Sequence, residues 1–261
     1  MKGIVLAGGT GTRLFPLTKV TNKHLLPVGK EPMIYNPIKQ LVSAGIEDII
    51  VVTSKDHMGE VVRLLGSGSD LGCDLTFKVQ ERPTGIAHAL CLCEKYVHGD
   101  SMVVVLGDNI LTHSIRPYVQ GYMKNGTGAK VLLKKVGDPE RFGVAALDEH
   151  SKMILQIEEK PEHPKSDYAV IGVYMYDGRV FDFIRRTKPS ARGEMEITSV
   201  NNIYVELGDI TYDIVDGEWT DAGTFESLKY ANELMVKTEN KIIMPKRDRA
   251  MATAIVPEGR R

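Results

Sequence analysis

The first half of the chain alternates short β-branched runs with longer amphipathic stretches, a pattern that admits little besides βαβ units around a parallel sheet. Ile4-Val5-Leu6, Ile49-Ile50-Val51-Val52, Leu75 to Val79 and Val103-Val104-Val105-Leu106 read as strands. Between them Met33 to Ala44, Met58 to Leu65 and Ile86 to Tyr96 carry apolar residues at helical spacing. Pro32 and Thr84 lead into the first and third, and Gly45, Gly66 and Gly99 fall where helix C-caps belong. In the second half Ala129 to Val136, Met153 to Ile157, Ala169 to Tyr176 and Ile210 to Val215 read as strands. Val180 to Arg186, Glu196 to Glu206 and Phe225 to Val236 read as helices. Neither an internal repeat nor a low-complexity linker interrupts the pattern, so one domain over 1–236 is expected, followed by a tail over 237–261. The expected fold is α/β, a Rossmann-like, mostly parallel mixed sheet flanked by helices, with an elaborated second half. The tail carries Lys237, Lys241, Lys246, Arg247, Arg249, Arg260 and Arg261 and reads either as a solvated terminus or as a segment packed on another subunit.

With 261 residues the chain can bury a full core without staples. Lys and Arg total 33 against 34 Asp and Glu, which argues against a nucleic-acid-binding surface and leaves any phosphate chemistry to local clusters. The three cysteines, Cys73, Cys91 and Cys93, show no zinc spacing, and a reduced, cytoplasmic protein is expected. Apolar runs such as Met102 to Leu106 fall far short of the roughly 18 residues that span a bilayer, so no membrane partner is expected. His57, His88, His98, His113, His150 and His163 show no metal-ligand spacing and read as surface or satisfied core residues.

The strongest chemical signal is the glycine-rich turn Leu6-Ala7-Gly8-Gly9-Thr10-Gly11-Thr12-Arg13-Leu14, placed directly after the first strand. Glycines there let backbone N–H groups reach phosphate oxygens. The turn lacks the Gly-Lys-Ser/Thr ending of a P-loop, and Leu14 stands where the dinucleotide fingerprint needs glycine, which disfavours a nicotinamide dehydrogenase. Arg13 adds a fixed charge with bidentate reach. Asp108 follows a fully apolar strand, which puts a carboxylate at the sheet edge where α/β proteins bind ligands.

Taken with Asn22-Lys23-His24-Leu25-Leu26-Pro27, Leu106-Gly107-Asp108-Asn109, Glu158-Glu159-Lys160-Pro161, Arg192-Gly193-Glu194 and Trp219-Thr220-Asp221-Ala222-Gly223, the turn resembles the sugar nucleotidyltransferase family over residues 1–236. Within the family the resemblance is greatest to the thymidylyl-transferring branch. It implies dTTP, with UTP as the alternative, and glucose 1-phosphate as substrates, Mg2+ as cofactor, and a homo-oligomer. It assigns catalysis to Arg13, Lys23, Asp108 and Asp221, the two acids also holding the metal. Leu6, Ala7, Gly8, Gly9, Gly11, Thr12, Gln80 and Gly85 would bind the nucleotide, and Gly143, Glu159, Lys160, Val170 and Arg192 the sugar phosphate. A catalytically silent nucleotide-sensing subunit on the same scaffold is the reading from another class. His24, where many members have glutamine, and Phe142, where tyrosine is frequent, depart from the pattern.

Overall fold

The computed structural model describes residues 1–148 and 150–237; of the expected tail only Lys237 is among these, as the last residue of a helix, and the rest lies outside the described residues. The chain opens with β1 (Lys2–Ala7), three 3₁₀ turns, a small hairpin of β2 (Pro27–Val28) and β3 (Glu31–Pro32), and α1 (Tyr35–Ser43). β4 (Asp48–Ser54), α2 (Met58–Leu65), β5 (Asp74–Gln80), α3 (Ile86–Cys91), α4 (Glu94–Val97) and β6 (Met102–Leu106) complete the first half. Then come β7 (Asn109–Leu111), α5 (Arg116–Met123), β8 (Ala129–Lys135), β9 (Gly143–Asp148), β10 (Met153–Glu159) and β11 (Tyr168–Tyr176). The described chain closes with α6 (Val180–Arg186), α7 (Ile197–Glu206), β12 (Ile210–Ile214), β13 (Trp219–Asp221) and α8 (Phe225–Lys237).

Among the described residues nine strands form one mixed sheet, in the order β10-β9-β11-β6-β1-β4-β5, with β8 and β12 on the other flank of β11. Side chains alternate across the parallel strands, as a sheet covered on both faces requires. Ile4, Leu6, Ile50, Val52, Met102 and Val104 pack against α3, α6 and α7. Val5, Ala7, Ile49, Val51, Val103 and Val105 pack against α1, α2 and α5. Each fully buried Ile or Val contributes about 1.5–3 kcal/mol of transfer free energy, which is why these strands read as unbroken apolar runs.

The helix expected over Ile86 to Tyr96 is two pieces. A tighter turn, with Cys93 N–H donating to Leu90 O at 2.9 Å, separates α3 from α4 and keeps Leu90, Cys93 and Val97 in one core cluster.

Two features of the sheet make room for a site. β1 pairs in parallel with β4 on one side and β6 on the other, so the chain reverses direction of winding there and leaves a crevice beyond Ala7 and Leu106. β11 pairs with β6 through Val173–Tyr176 but with β9 through Ala169 and Val170, so the sheet forks between these partners.

Candidate active site

A cavity of about 470 Å³ occupies the crevice and the fork. At its phosphate-suited end stands the glycine turn. Leu14 is fully buried with Leu26, Met33 and Ala231, and this anchor leaves the adjacent Arg13 exposed at the cavity wall. Lys23 sits on a 3₁₀ turn capped by Asn22, whose Oδ1 accepts from His24 N at 2.9 Å. Its Nζ donates to Asp108 Oδ2 at 2.5 Å, and both side chains are largely buried. Behind them the His24 ring is buried against Gly107, and burial together with the Lys23 charge pulls its pKa down to about 3. The ring is therefore neutral near pH 7, and Lys23 is the cation of this segment.

The two acids come from chain segments 113 positions apart in numbering, and a short ladder joins them. β13 pairs antiparallel with β7, setting Asp221 opposite Asn109, while Ala222 N–H donates to Asp108 O at 2.8 Å. Burial and the Asp108 charge push the Asp221 carboxyl up to about 6, against the pull of Arg141, Arg13 and Lys23. Asp108 goes the other way: burial would raise it, but the Lys23 charge and hydrogen bond hold it near 2. Asp108 thus has Lys23 as its cation, while Asp221 shares the Arg141 guanidinium with Asp138.

The other end of the cavity is built on the strand register. Val170 pairs with Gly143, and Gly143 pairs with Glu159, so three strands set these residues in one row beside the fork. Glu159 Oε2 accepts from Thr198 Oγ1 at 2.5 Å, and its Oε1 accepts from Arg192 Nη2 at 3.2 Å. Arg192 also donates to Glu196 Oε1 at 2.9 Å. Lys160, on the same wall, has a backbone φ of 45°, a conformation uncommon for a residue with a Cβ, and its N–H donates to Phe142 O at 2.9 Å. At the third side Gln80 ends β5 and Gly85 is the N-cap of α3. The φ of 106° at Gly85, and an ideal Cβ 2.4 Å from Met195 O, leave no alternative to glycine there.

Leu6, Gly8, Gly9, Arg13, Lys23, Gln80, Gly85, Asp108, Gly143, Glu159, Lys160, Val170, Arg192 and Asp221 all line this one cavity. Ala7 points into the core beneath it, and Gly11 and Thr12 form the turn behind Arg13 outside the wall. The structure adds Arg141, whose Nη2 donates to Asp221 Oδ1 at 2.9 Å and whose Nη1 donates to Asp138 Oδ2 at 2.7 Å. Its guanidinium lies 5.0 Å from the Phe142 ring centre, and Phe142 meets Trp219 edge-on at 5.2 Å. Adjacency to Phe142-Gly143 was the only local signal for Arg141, because its partner lies 80 positions away.

A crevice at a sheet switch point, walled by a glycine turn, cations and paired acids, defines an α/β enzyme that handles phosphate groups. The chain belongs to the nucleotidyl transferase family, whose model matches residues 2–238. It is 44% identical over 243 residues to a glucose-1-phosphate thymidylyltransferase of Neisseria meningitidis, an alignment covering 92% of this chain and 84% of the relative. It is 43% identical over 233 residues to an enzyme of the same name from Xanthomonas campestris, covering 88% and 79%. A crystal structure of a Bacillus anthracis protein provisionally assigned as a glucose-1-phosphate thymidylyltransferase, in complex with sucrose, superposes with a TM-score of 0.86 at 57% identity, covering 90% of this chain and 94% of that one.

Proposed function

We propose that this chain is a glucose-1-phosphate thymidylyltransferase, converting dTTP and glucose 1-phosphate to dTDP-glucose and pyrophosphate. The observation that carries the reading is the convergence of Arg13, Lys23, Asp108 and Asp221 on one cavity that also holds the Val170, Gly143 and Glu159 row.

The sugar phosphate has a second pKa of about 6, so near neutral pH it is already a nucleophile and needs no general base. One of its oxygens attacks the α-phosphorus of dTTP. The bond from that phosphorus to the α,β-bridging oxygen breaks, and pyrophosphate leaves with the electron pair. The obstacle is repulsion between anions, on the order of 4 kcal/mol for each unit charge pair at about 4 Å and an effective dielectric of about 20. Catalysis is therefore positioning and neutralisation. Arg13 and Lys23 face the triphosphate and the departing pyrophosphate. Lys160 and Arg192 hold the sugar phosphate, and Glu159, oriented by Thr198 and Arg192, accepts from a sugar hydroxyl. Arg141 steadies Asp221.

Asp108 and Asp221 also fit a divalent cation. Burial first and the Asp108 charge second push Asp221 up to about 6 even with Arg141 donating to it at 2.9 Å, so a cation between the two carboxylates would offset repulsion that Arg141 leaves. No cluster of three or more His, Cys, Asp or Glu suited to a metal occurs among the described residues, and a pair of carboxylates completed by substrate phosphates is the donor set magnesium prefers. Bound there, Mg2+ supplies charge neutralisation at the phosphates.

None of the described helices is long and apolar enough to cross a membrane, and none of Cys73, Cys91 and Cys93 is in a disulfide, which supports work in a reducing cytoplasm. The family resemblance also carries the expectation of a homo-oligomer, which light scattering tests. The reaction itself is tested with Asp108→Asn in a pyrophosphate-release assay, circular dichroism verifying the fold. Turnover should fall at least about a hundredfold, the scale on which single electrostatic groups act. Near-wild-type turnover would defeat the assignment.

A further inference from the structure

Gln80 forms part of the cavity wall, and its surroundings leave its amide no rotational choice. Nε2 donates to Gly85 O at 3.2 Å and lies 3.3 Å from His88 Nδ1. A backbone carbonyl only accepts, so it selects the N–H side of the amide; an amide nitrogen only donates, so His88 Nδ1 accepts and the ring proton sits on Nε2. Both amide N–H groups are thereby engaged. What remains is Oε1, placed over Gly8 so closely that an ideal Cβ there would lie 2.5 Å from it. The absence of a side chain at Gly8 makes room for this oxygen. Gly85 is itself held, with Ala87 N–H donating to Met195 O at 3.1 Å and Met195 N–H to Thr84 O at 2.8 Å.

We infer that His88 is a positioning residue for nucleobase choice: by occupying the second N–H of Gln80 it makes that side chain a pure acceptor toward the base. The inference rests on the proposed use of this cavity for a pyrimidine triphosphate. Thymine and uracil carry an N–H at ring position 3 and donate to such an oxygen. Cytosine carries a lone pair there and is turned away. Without His88 one amide N–H is free to meet that lone pair, so the bias against cytosine weakens.

The test is the binding of dTTP and dCTP, each with magnesium, measured by isothermal titration calorimetry on the full-length wild type, His88→Ala and His88→Asn. Asparagine can place an accepting oxygen where Nδ1 stood. The wild type should prefer dTTP, His88→Ala should lose about tenfold of that preference, as expected for one hydrogen bond, and His88→Asn should retain most of it. An unchanged preference in His88→Ala overturns the inference, as does an equal loss in both variants, which would mark a merely structural role. Pyrophosphate release with glucose 1-phosphate is read separately. Its absence would count against the proposed transfer reaction, whereas the ratio of dTTP to dCTP affinity bears on His88.

Discussion

Lys23 and Asp108 show how sharply single residues are constrained here. With side chains 14% and 13% exposed, neither charge is well hydrated, and each depends on the other. Lys23→Met should cost about 3 kcal/mol in urea denaturation because it strands a buried carboxylate. The double variant Lys23→Met with Asp108→Asn should cost clearly less than the two single changes summed; additive losses would contradict a coupled pair. Another buried acid, Asp177, lies away from the cavity. Burial works against the Asp177 charge, but hydrogen bonds from Arg179, Gly128 N–H and Tyr204 overcome it and hold the carboxyl below its ordinary value. A depressed folded-state pKa contributes stability above the unfolded value of about 3.9 and loses it as pH falls through the folded value. Asp177→Asn should accordingly flatten the fall of Tm below about pH 4 relative to wild type. Scanning calorimetry across that range would refute this if the two curves stayed parallel. At this scale Arg13, Lys23 and Asp108 were legible because each stands inside a contiguous motif. Arg141 was not, since its meaning depends on Asp221, which only folding brings within 2.9 Å.

Among the elements, strands with strong β-branched or aromatic content were legible and the short or bland ones were not. β11, Tyr168–Tyr176, announces itself; β9, with Val144-Ala145-Ala146-Leu147, carries little β-branched signal, yet it supplies Gly143 to the row with Val170 and Glu159. β7 and β13 are three residues each and exist because they pair with one another, Trp219 opposite Leu111, and the Trp219 indole N–H donates to Asn109 Oδ1. Local pattern cannot report a ladder between distant segments. The row makes a separable prediction. A Cβ at Gly143 would lie 3.3 Å from Thr198 Oγ1 and 3.6 Å from Glu159 Oε2, intruding on the pair proposed to meet the sugar. Gly143→Ala should raise the KM for glucose 1-phosphate by about fivefold to tenfold and leave that for dTTP unchanged. Initial-rate kinetics with each substrate varied would contradict the row's proposed role if both KM values moved together.

The architecture of the whole molecule follows from the alternation of its first half. The parallel strands place β1 between β4 and β6, and the crevice this opens is where the turn after Ala7 and the acid after Gly107 must meet. The fork at β11 extends that crevice into a second compartment, something no periodicity announces because it arises from one strand changing partners along its length. The described residues that line the cavity all fall between Leu6 and Asp221, so a chain ended after Lys237 should retain both its fold and its turnover per chain. Loss of either, measured by circular dichroism and pyrophosphate release, would show that the tail is needed. The most direct test of the account is a matrix of nucleoside triphosphates against hexose 1-phosphates with magnesium, read by pyrophosphate release. Fastest release with dTTP and glucose 1-phosphate, matched mole for mole by dTDP-glucose, is the predicted result. Absence of release from every pair, by a folded protein, would contradict it.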